Sequence, residues 1–241
     1  MSDPRRAQYL QAMGISAWRQ RIDPPARHGE TAAMAAVLSP LGIPGPASDD
    51  IGLLGWPELR ARVAACTLCA LSAARTQTVF GVGDLQAKWL IVGEAPGAEE
   101  DRRGEPFVGR AGQLLNAMLR AMGLAREQVY IANIVKCRPP GNREPKPAEA
   151  GSCIQYLHRQ IALLQPGILL AVGRVAAQNL LDNDEPLGKM RQRVHRLGAS
   201  ELPVVVTYHP AYLLRSPSDK RKAWDDLKFA KMVMARGRSQ T

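Results

Sequence analysis

Four apolar runs, KWLIV (88–92), VYIANIV (129–135), GILLAVG (167–173) and LPVVVTYH (202–209), are each followed by a longer amphipathic stretch. This alternation constrains the fold more than any other feature of the chain. Each run has strand length and is too uniformly apolar to keep one wet face, so the strands must be covered on both sides. Buried strands joined by helices pair in parallel, because a crossover helix returns the chain to the same end of the sheet. The expected class is therefore α/β: a three-layer α/β/α sandwich around a central parallel-rich sheet. With 46% of residues hydrophobic, the chain can fill such a core.

The helices can be placed as well. Ala111, Leu114, Leu115, Met118, Leu119 and Met122 recur at one-face helical spacing and stop at Gly123. WPELRARVAAC predicts a helix with the first cysteines at its end, and others are expected over 147–164, in RVAAQNLL and over 218–235. Residues 1–50 do not follow the alternation. A short helix over 3–20, with Tyr9, Leu10, Met13 and Trp18 on a loose apolar face, leads into a Pro/Ala/Gly-rich linker. The expected division is this segment of unassigned role over 1–50 and one domain over 51–238.

Lysine and arginine outnumber aspartate and glutamate by 32 to 22, a formal charge of +10. That excess suits a polyanionic partner, with nucleic acid the first to consider. No apolar run approaches the ~18 residues of a membrane span, and MSDPRRAQYLQAMG lacks the apolar core of a secretory signal. A soluble, cytoplasmic, monomeric protein without membrane contact is expected. The four cysteines are Cys66, Cys69, Cys137 and Cys153. In a reducing compartment disulfides are disfavoured. The CTLC pair has the C-x2-C spacing of a metal-ligand knuckle, and the other two flank a Pro-rich loop. Metal or cluster ligation is set against four incidental thiols; spacing leaves the metal open.

In parallel sheets ligands sit beyond the carboxyl ends of the strands. The three chemically unusual segments fall there: GEAPG (93–97), NIVKCRPPGNR (133–143) and HPAYLLR (209–215). The Gly/Pro turn matches neither phosphate-binding pattern, and Glu99, Glu100 and Asp101 after it would repel a phosphate. Gly93, Pro96 and Gly97 instead offer a backbone that a flat ligand can approach closely. Two readings stand for Phe107, a core residue or a ring stacked on a base. Two stand for Asn133, a structural amide or a side chain that reads the edge of a pyrimidine. His209 is on the same rim, whereas His28, His158 and His195 read as structural or surface residues. Tyr212, Leu213 and Leu214 either start a helix or form a wedge for a base stack. Arg138, Arg143, Lys146, Arg215, Lys220 and Arg221 are candidates for a phosphate-facing rim.

Taken together, GEAPGAEED, PFVGRAGQLLN, YIANIVKCRPPGNREP, HPAYLLR and the cysteine pattern C-x2-C…C-x15-C resemble the family-4 uracil-DNA glycosylases, the iron–sulfur branch of their superfamily. The likeness runs from about Trp56 to the C-terminus. It implies a uracil-DNA glycosylase-like fold and a 4Fe-4S cluster on Cys66, Cys69, Cys137 and Cys153. It also implies a site that hydrolyses the N-glycosidic bond of deoxyuridine flipped out of single- or double-stranded DNA, leaving an abasic site.

On that resemblance, Phe107 stacks on uracil while Gly93, Glu94, Ala95 and Pro96 line it and Asn133 reads its edge. His209 stabilises the departing base, Leu213 fills the gap in the duplex and Arg215 grips the backbone. The superfamily's better-known members carry Asp where this chain has Ala95. The water-orienting group is therefore assigned to Glu100, with Asn133 as the alternative and Glu94 and Asp101 as helix-capping or loop-ordering carboxylates. Two further functions are carried: a non-catalytic, cluster-bearing DNA-binding module, and a glycosylase of wider range acting on other deaminated bases.

Overall fold

The structure is a computed structural model describing residues 48–199 and 201–238. The helix expected over 3–20, and the linker as far as residue 47, lie outside the described residues. Every described element belongs to the compact unit that begins at Pro46.

A 3-10 turn, Ser48–Leu53, precedes helix α1 (Trp56–Ala64), and a second one (Ala70–Ala73) follows it. Then come β1 (Val82–Gly83), β2 (Trp89–Gly93), α2 (Ala98–Arg103), α3 (Arg110–Ala121), β3 (Tyr130–Asn133) and α4 (Pro147–Leu164). The chain finishes with β4 (Ile168–Val172), α5 (Arg174–Leu181), α6 (Leu187–Met190), β5 (His195–Leu197), β6 (Leu202–Thr207), α7 (Pro210–Arg215) and α8 (Lys220–Arg238).

All six strands join one sheet, in the order β1-β3-β2-β4-β6-β5. The four inner strands are the four apolar runs, and they pair in parallel. The short edges β1 and β5 run antiparallel. The sequence pattern does not mark these edges as strands. Two residues and the polar triplet HRL are too short to show a period, and an antiparallel edge tolerates water on one side.

Side-chain alternation builds the three layers. Leu90, Val92, Ala132, Leu169, Ala171, Val204 and Val206 face a core completed by Leu59 and Val63 of α1, Tyr156 and Leu157 of α4, and Leu180 of α5. Trp89, Ile91, Ile131, Leu170, Val172 and Val205 face the opposite core, closed by Leu115, Met118 and Leu119 of α3 and Leu227, Ala230 and Met234 of α8. Each fully buried Leu or Ile contributes roughly 1.5–3 kcal/mol. Losing either layer would therefore unseat the strand ends that carry the polar residues.

Candidate active site

A cleft of about 730 Å3 opens at the carboxyl ends of the parallel strands. Its floor is set by register: Gly93, last in β2, stands opposite Asn133, last in β3. A Cβ on Gly93 would come within 2.5 Å of the Asn133 Oδ1 and 2.6 Å of the Phe107 ring, so only glycine lets these two side chains converge. A larger groove of about 910 Å3, between α4, α5 and the β5–β6 hairpin, is reached by none of the strand-end motifs.

Asn133 is 1% exposed, and its Oδ1 is the one buried side-chain N or O atom without a hydrogen-bond partner among the described residues. Such an orphan costs roughly 1–3 kcal/mol. A cost of that kind persists where a ligand removes it. His209 caps α7, its Nδ1 accepting the Ala211 N–H at 3.1 Å, so the neutral ring carries its proton on Nε2. Burial, helped by the nearby charge of Arg215 and opposed by Glu100, pushes the His209 pKa down to about 4. Its ring lies 5.6 Å from that of Phe107, tilted by 31°. Gly173 makes room for it: φ is +100°, and an added Cβ would meet the His209 Cβ at 3.0 Å.

Phe107 sits at φ 54°, a strained conformation for a bulky residue. Three groups hold it there. Arg126 donates to the carbonyls of Pro106 (2.6 Å) and Phe107 (3.2 Å). Glu100 Oε1 accepts the N–H groups of Val108 (2.9 Å) and Gly109 (3.0 Å). Gly112 lets the loop rest on α3, since a Cβ there would lie 1.8 Å from the Phe107 carbonyl oxygen. Phe107 is a core residue, 6% exposed within the second core, and it also lines the cleft.

The carboxylates divide by role. Glu100 also accepts Gly97 N–H at 3.2 Å, so three backbone donors commit it to ordering the loop. The structure thus gives Glu100 the task expected from sequence of Glu94 and Asp101. Asp101, buried, takes the N–H of Thr76 with both oxygens (2.9 and 3.1 Å) and is a loop-ordering group as expected. Glu94 lines the cleft, and its carboxylate takes no hydrogen bond among the described residues. Burial, then Glu144, raise its pKa to about 7 against the pull of Arg174. Ala95 and Pro96 complete that wall.

On the rim the structure corrects one assignment. Leu213 is 1% exposed and packs into the second core beneath α7, so it is not free to enter a base stack. Its distance from His209 along the chain suggests a wedge, but the helical turn of α7 points residue 213 inward and leaves Leu214, at 36%, facing solvent. Arg215 lines the cleft, exposed and in no ion pair among the described residues. Arg143 is tied to Glu149 (2.6 and 2.8 Å) and Arg138 to Asn142 (2.7 Å). Lys146, Lys220 and Arg221 are exposed. His195 binds the Met190 carbonyl at 2.8 Å, a structural contact.

A second constellation lies beyond β3. Cys66 and Cys69 after α1, Cys137 after β3 and Cys153 on α4 all line one small cavity, together with Arg75, Lys136 and Tyr156. Arg75 donates to the Cys137 sulfur at 3.1 Å, and the Lys136 backbone N–H to the Cys153 sulfur at 3.2 Å. Among the described residues no carboxylate lines the cavity. Burial pushes the Cys153 thiol up to about 12 and that of Cys137 upward too, so both stay protonated unless a cation holds them as thiolates. Among the described residues no three His, Cys, Asp or Glu side chains converge on one point as a single ion requires. A single ion draws every sulfur to ~2.3 Å from one centre. A four-thiolate cluster takes its ligands around a larger body, and this donor set fits it.

Sequence reasoning missed several residues that build these sites. Arg126, Arg75, Lys136, Gln160 and Gly173 act through tertiary contacts, and nothing in their neighbourhoods marks them. Gly112, in GRAG, carried the one readable signal.

Fold and cleft together define an α/β protein with an unsatisfied amide, a neutral imidazole and an aromatic ring gathered in one cleft beyond its strand ends. The family model of the uracil DNA glycosylase superfamily matches residues 80–228, and the chain belongs to that superfamily. It is 44% identical to the type-4 uracil-DNA glycosylase of Thermotoga maritima over 174 residues, 70% of this chain and 90% of that one. To the type-4 enzyme of Archaeoglobus fulgidus it is 41% identical, over 69% and 86% of the two chains. A type-5 uracil-DNA glycosylase of Thermus thermophilus matches at 35%, over 43% of this chain and 53% of its own.

Proposed function

We propose that this protein is a uracil-DNA glycosylase of the type-4 kind: a hydrolase that extrudes deoxyuridine from DNA, releases uracil and leaves an abasic site. The observation that carries the reading is the orphaned Oδ1 of Asn133, facing a cleft walled by Phe107 and His209. In this reading the Asn133 amide pairs with the polar edge of uracil and discriminates against cytosine, whose donor and acceptor are exchanged. Phe107 stacks on the base, held rigid by Arg126, Glu100 and Gly112, with Gly93 allowing close approach. Extrusion costs a few kcal/mol. Leu214, exposed beside Leu213, fills the gap in the stack, and Arg215 grips the backbone.

As the glycosidic bond breaks, electrons move onto the base and positive charge develops on the sugar. The Nε2–H of neutral His209 donates to the forming oxyanion, a preorganised contact whose loss costs about 10²–10³ in rate. Of the three cleft carboxylates, that of Glu100 is held by backbone N–H groups and that of Glu144 by Arg174, whereas that of Glu94 has neither tie, and its pKa near 7 suits a group that orients water and accepts its proton. The enzyme acts as a monofunctional glycosylase, a reading supported by a cleft in which no lysine stands among the described residues. Cys66, Cys69, Cys137 and Cys153 hold a 4Fe-4S cluster, which ties the segment after α1, the end of β3 and α4 together. Monomeric action in the cytoplasm completes the proposal.

The test is an end-labelled oligonucleotide with one uracil, run as single strand, U:G and U:A, with alkali to break abasic sites. Alkali-dependent cleavage by the parent that collapses in His209→Ala and Asn133→Ala is expected. A cluster-loaded parent that binds the DNA and leaves the base in place would replace this reading with a binding module.

A further inference from the structure

Lys136 is 1% exposed and forms no ion pair among the described residues. Its Nζ donates to the Asn133 backbone carbonyl at 2.9 Å and to the Gln160 Oε1 at 2.6 Å. Gln160 is itself fixed, its Nε2 donating to the Phe80 carbonyl at 2.9 Å and to the Tyr130 hydroxyl at 3.2 Å. The backbone N–H of Lys136 meets the Cys153 sulfur. Cys153 and Gln160 lie two turns apart on the buried face of α4, so one helix presents both the thiol and the amide that pins the lysine.

A buried ammonium without a counter-charge is strongly unfavourable, and it persists where something nearby answers it. Two carbonyl-type oxygens solvate the Lys136 head, but neither is charged. The adjoining cavity, which Lys136 helps to line, has four cysteines, a further basic residue in Arg75 and, among the described residues, no carboxylate. A cluster held by four thiolates is net anionic and would supply the missing charge. On its other side, Lys136 clamps the main chain of the residue whose side chain faces the cleft.

We propose that Lys136 is a positioning residue that couples the two sites: the charge of the cysteine-bound cluster holds the lysine, and the lysine holds Asn133 in register for base recognition. The proposal rests on the uracil reading of the cleft. Its consequence is that the cluster contributes to reading the base without touching it.

The test is a double-mutant cycle on the full, cluster-loaded chain, since residues that act through one another give non-additive losses. Lys136→Met keeps the aliphatic stem and removes the charge. In the parent it should lower single-turnover kcat/KM on uracil-DNA by roughly tenfold, while in an Asn133→Ala background, where no amide remains to be placed, it should cost almost nothing. Lys136→Met should also move the cluster's reduction potential to a more negative value with about four irons per chain retained. Gln160→Leu, which leaves the charge and removes its anchor, should show a smaller loss that also vanishes in the Asn133→Ala background, and it decides the matter if Lys136→Met does not fold. Equal losses in both backgrounds would overturn the coupling, and an unmoved potential would overturn its electrostatic half. An inactive parent, or an Asn133→Ala variant as active as the parent, would overturn the uracil reading and this inference with it.

Discussion

The cleft and the cysteine cavity lie at two ends of one short stretch, Asn133 to Cys137, yet they are incomplete in opposite ways. At the cleft a polar atom is left unpaired, a ring is held at positive φ and an imidazole is kept neutral. At the cavity the sulfurs of Cys137 and Cys153 accept hydrogen bonds from Arg75 and from the Lys136 backbone, and the lining has the two basic residues Arg75 and Lys136 but, among the described residues, no carboxylate. The first lacks hydrogen-bond partners, as a site does when a transient ligand is to supply them. The second lacks charge, as a site does when a resident anionic group supplies it. What a buried region leaves unsatisfied thus separates a substrate site from a cofactor site.

Substitutions can break that comparison, and the largest effect belongs to the cleft. His209→Ala and Asn133→Ala are each expected to lower kcat/KM on uracil-DNA by about 10²–10³ with thermal stability nearly unchanged. Calorimetry beside the cleavage assay checks this, and a large drop in Tm would return both residues to a structural role. For the cavity the reverse pattern is expected. Cys153→Ala should cost several kcal/mol, lowering Tm by roughly 10 °C for a domain of this size, together with the iron content.

Two neighbouring pairs sharpen the contrast. Leu213→Ala should cost about 2–5 kcal/mol in chemical denaturation, as a truncated core residue does. Leu214→Ala should leave stability within ~0.5 kcal/mol and lower activity on duplex more than on single-stranded DNA, since only a duplex has a gap to fill. The reverse outcome would restore Leu213 as the wedge. The carboxylates differ most subtly. With a pKa near 7, Glu94 is ionised above that value, so kcat/KM should rise with pH through about 7 and Glu94→Gln should flatten the rise. Because the pKa of His209 lies at about 4, no limb near 6.5 should belong to it. Glu100→Gln should keep the pH profile of the parent and lower its stability by about 1 kcal/mol through the loosened 97–109 loop.

Much of this is legible in the chain. The four inner strands and α3 can be read because their apolar runs and periods extend over enough residues to be unambiguous. Gly93, Asn133 and His209 are visible as odd residues at strand ends, where an α/β sheet presents its ligands, and Phe107 as a lone aromatic in the Gly/Arg loop that follows the first of them. Leu213 is misplaced because linear distance from His209 does not say which way a six-residue helix turns. Glu100 draws the water-orienting role in sequence because its amide partners, Val108 and Gly109, come from a loop whose path depends on Arg126 and Gly112. Glu94 stands in the same motif, and only the hydrogen bonds that it lacks distinguish it.

The sequence by itself determined the layers, the strand ends and the set of chemical groups, because hydrophobic period and residue type are local properties. The tertiary structure alone decided which groups are satisfied and which are left wanting. That distinction depends on partners distant along the chain, such as Lys136 with Gln160 or Phe107 with Arg126. Their meeting follows from packing two cores on one sheet, and no window of sequence contains it.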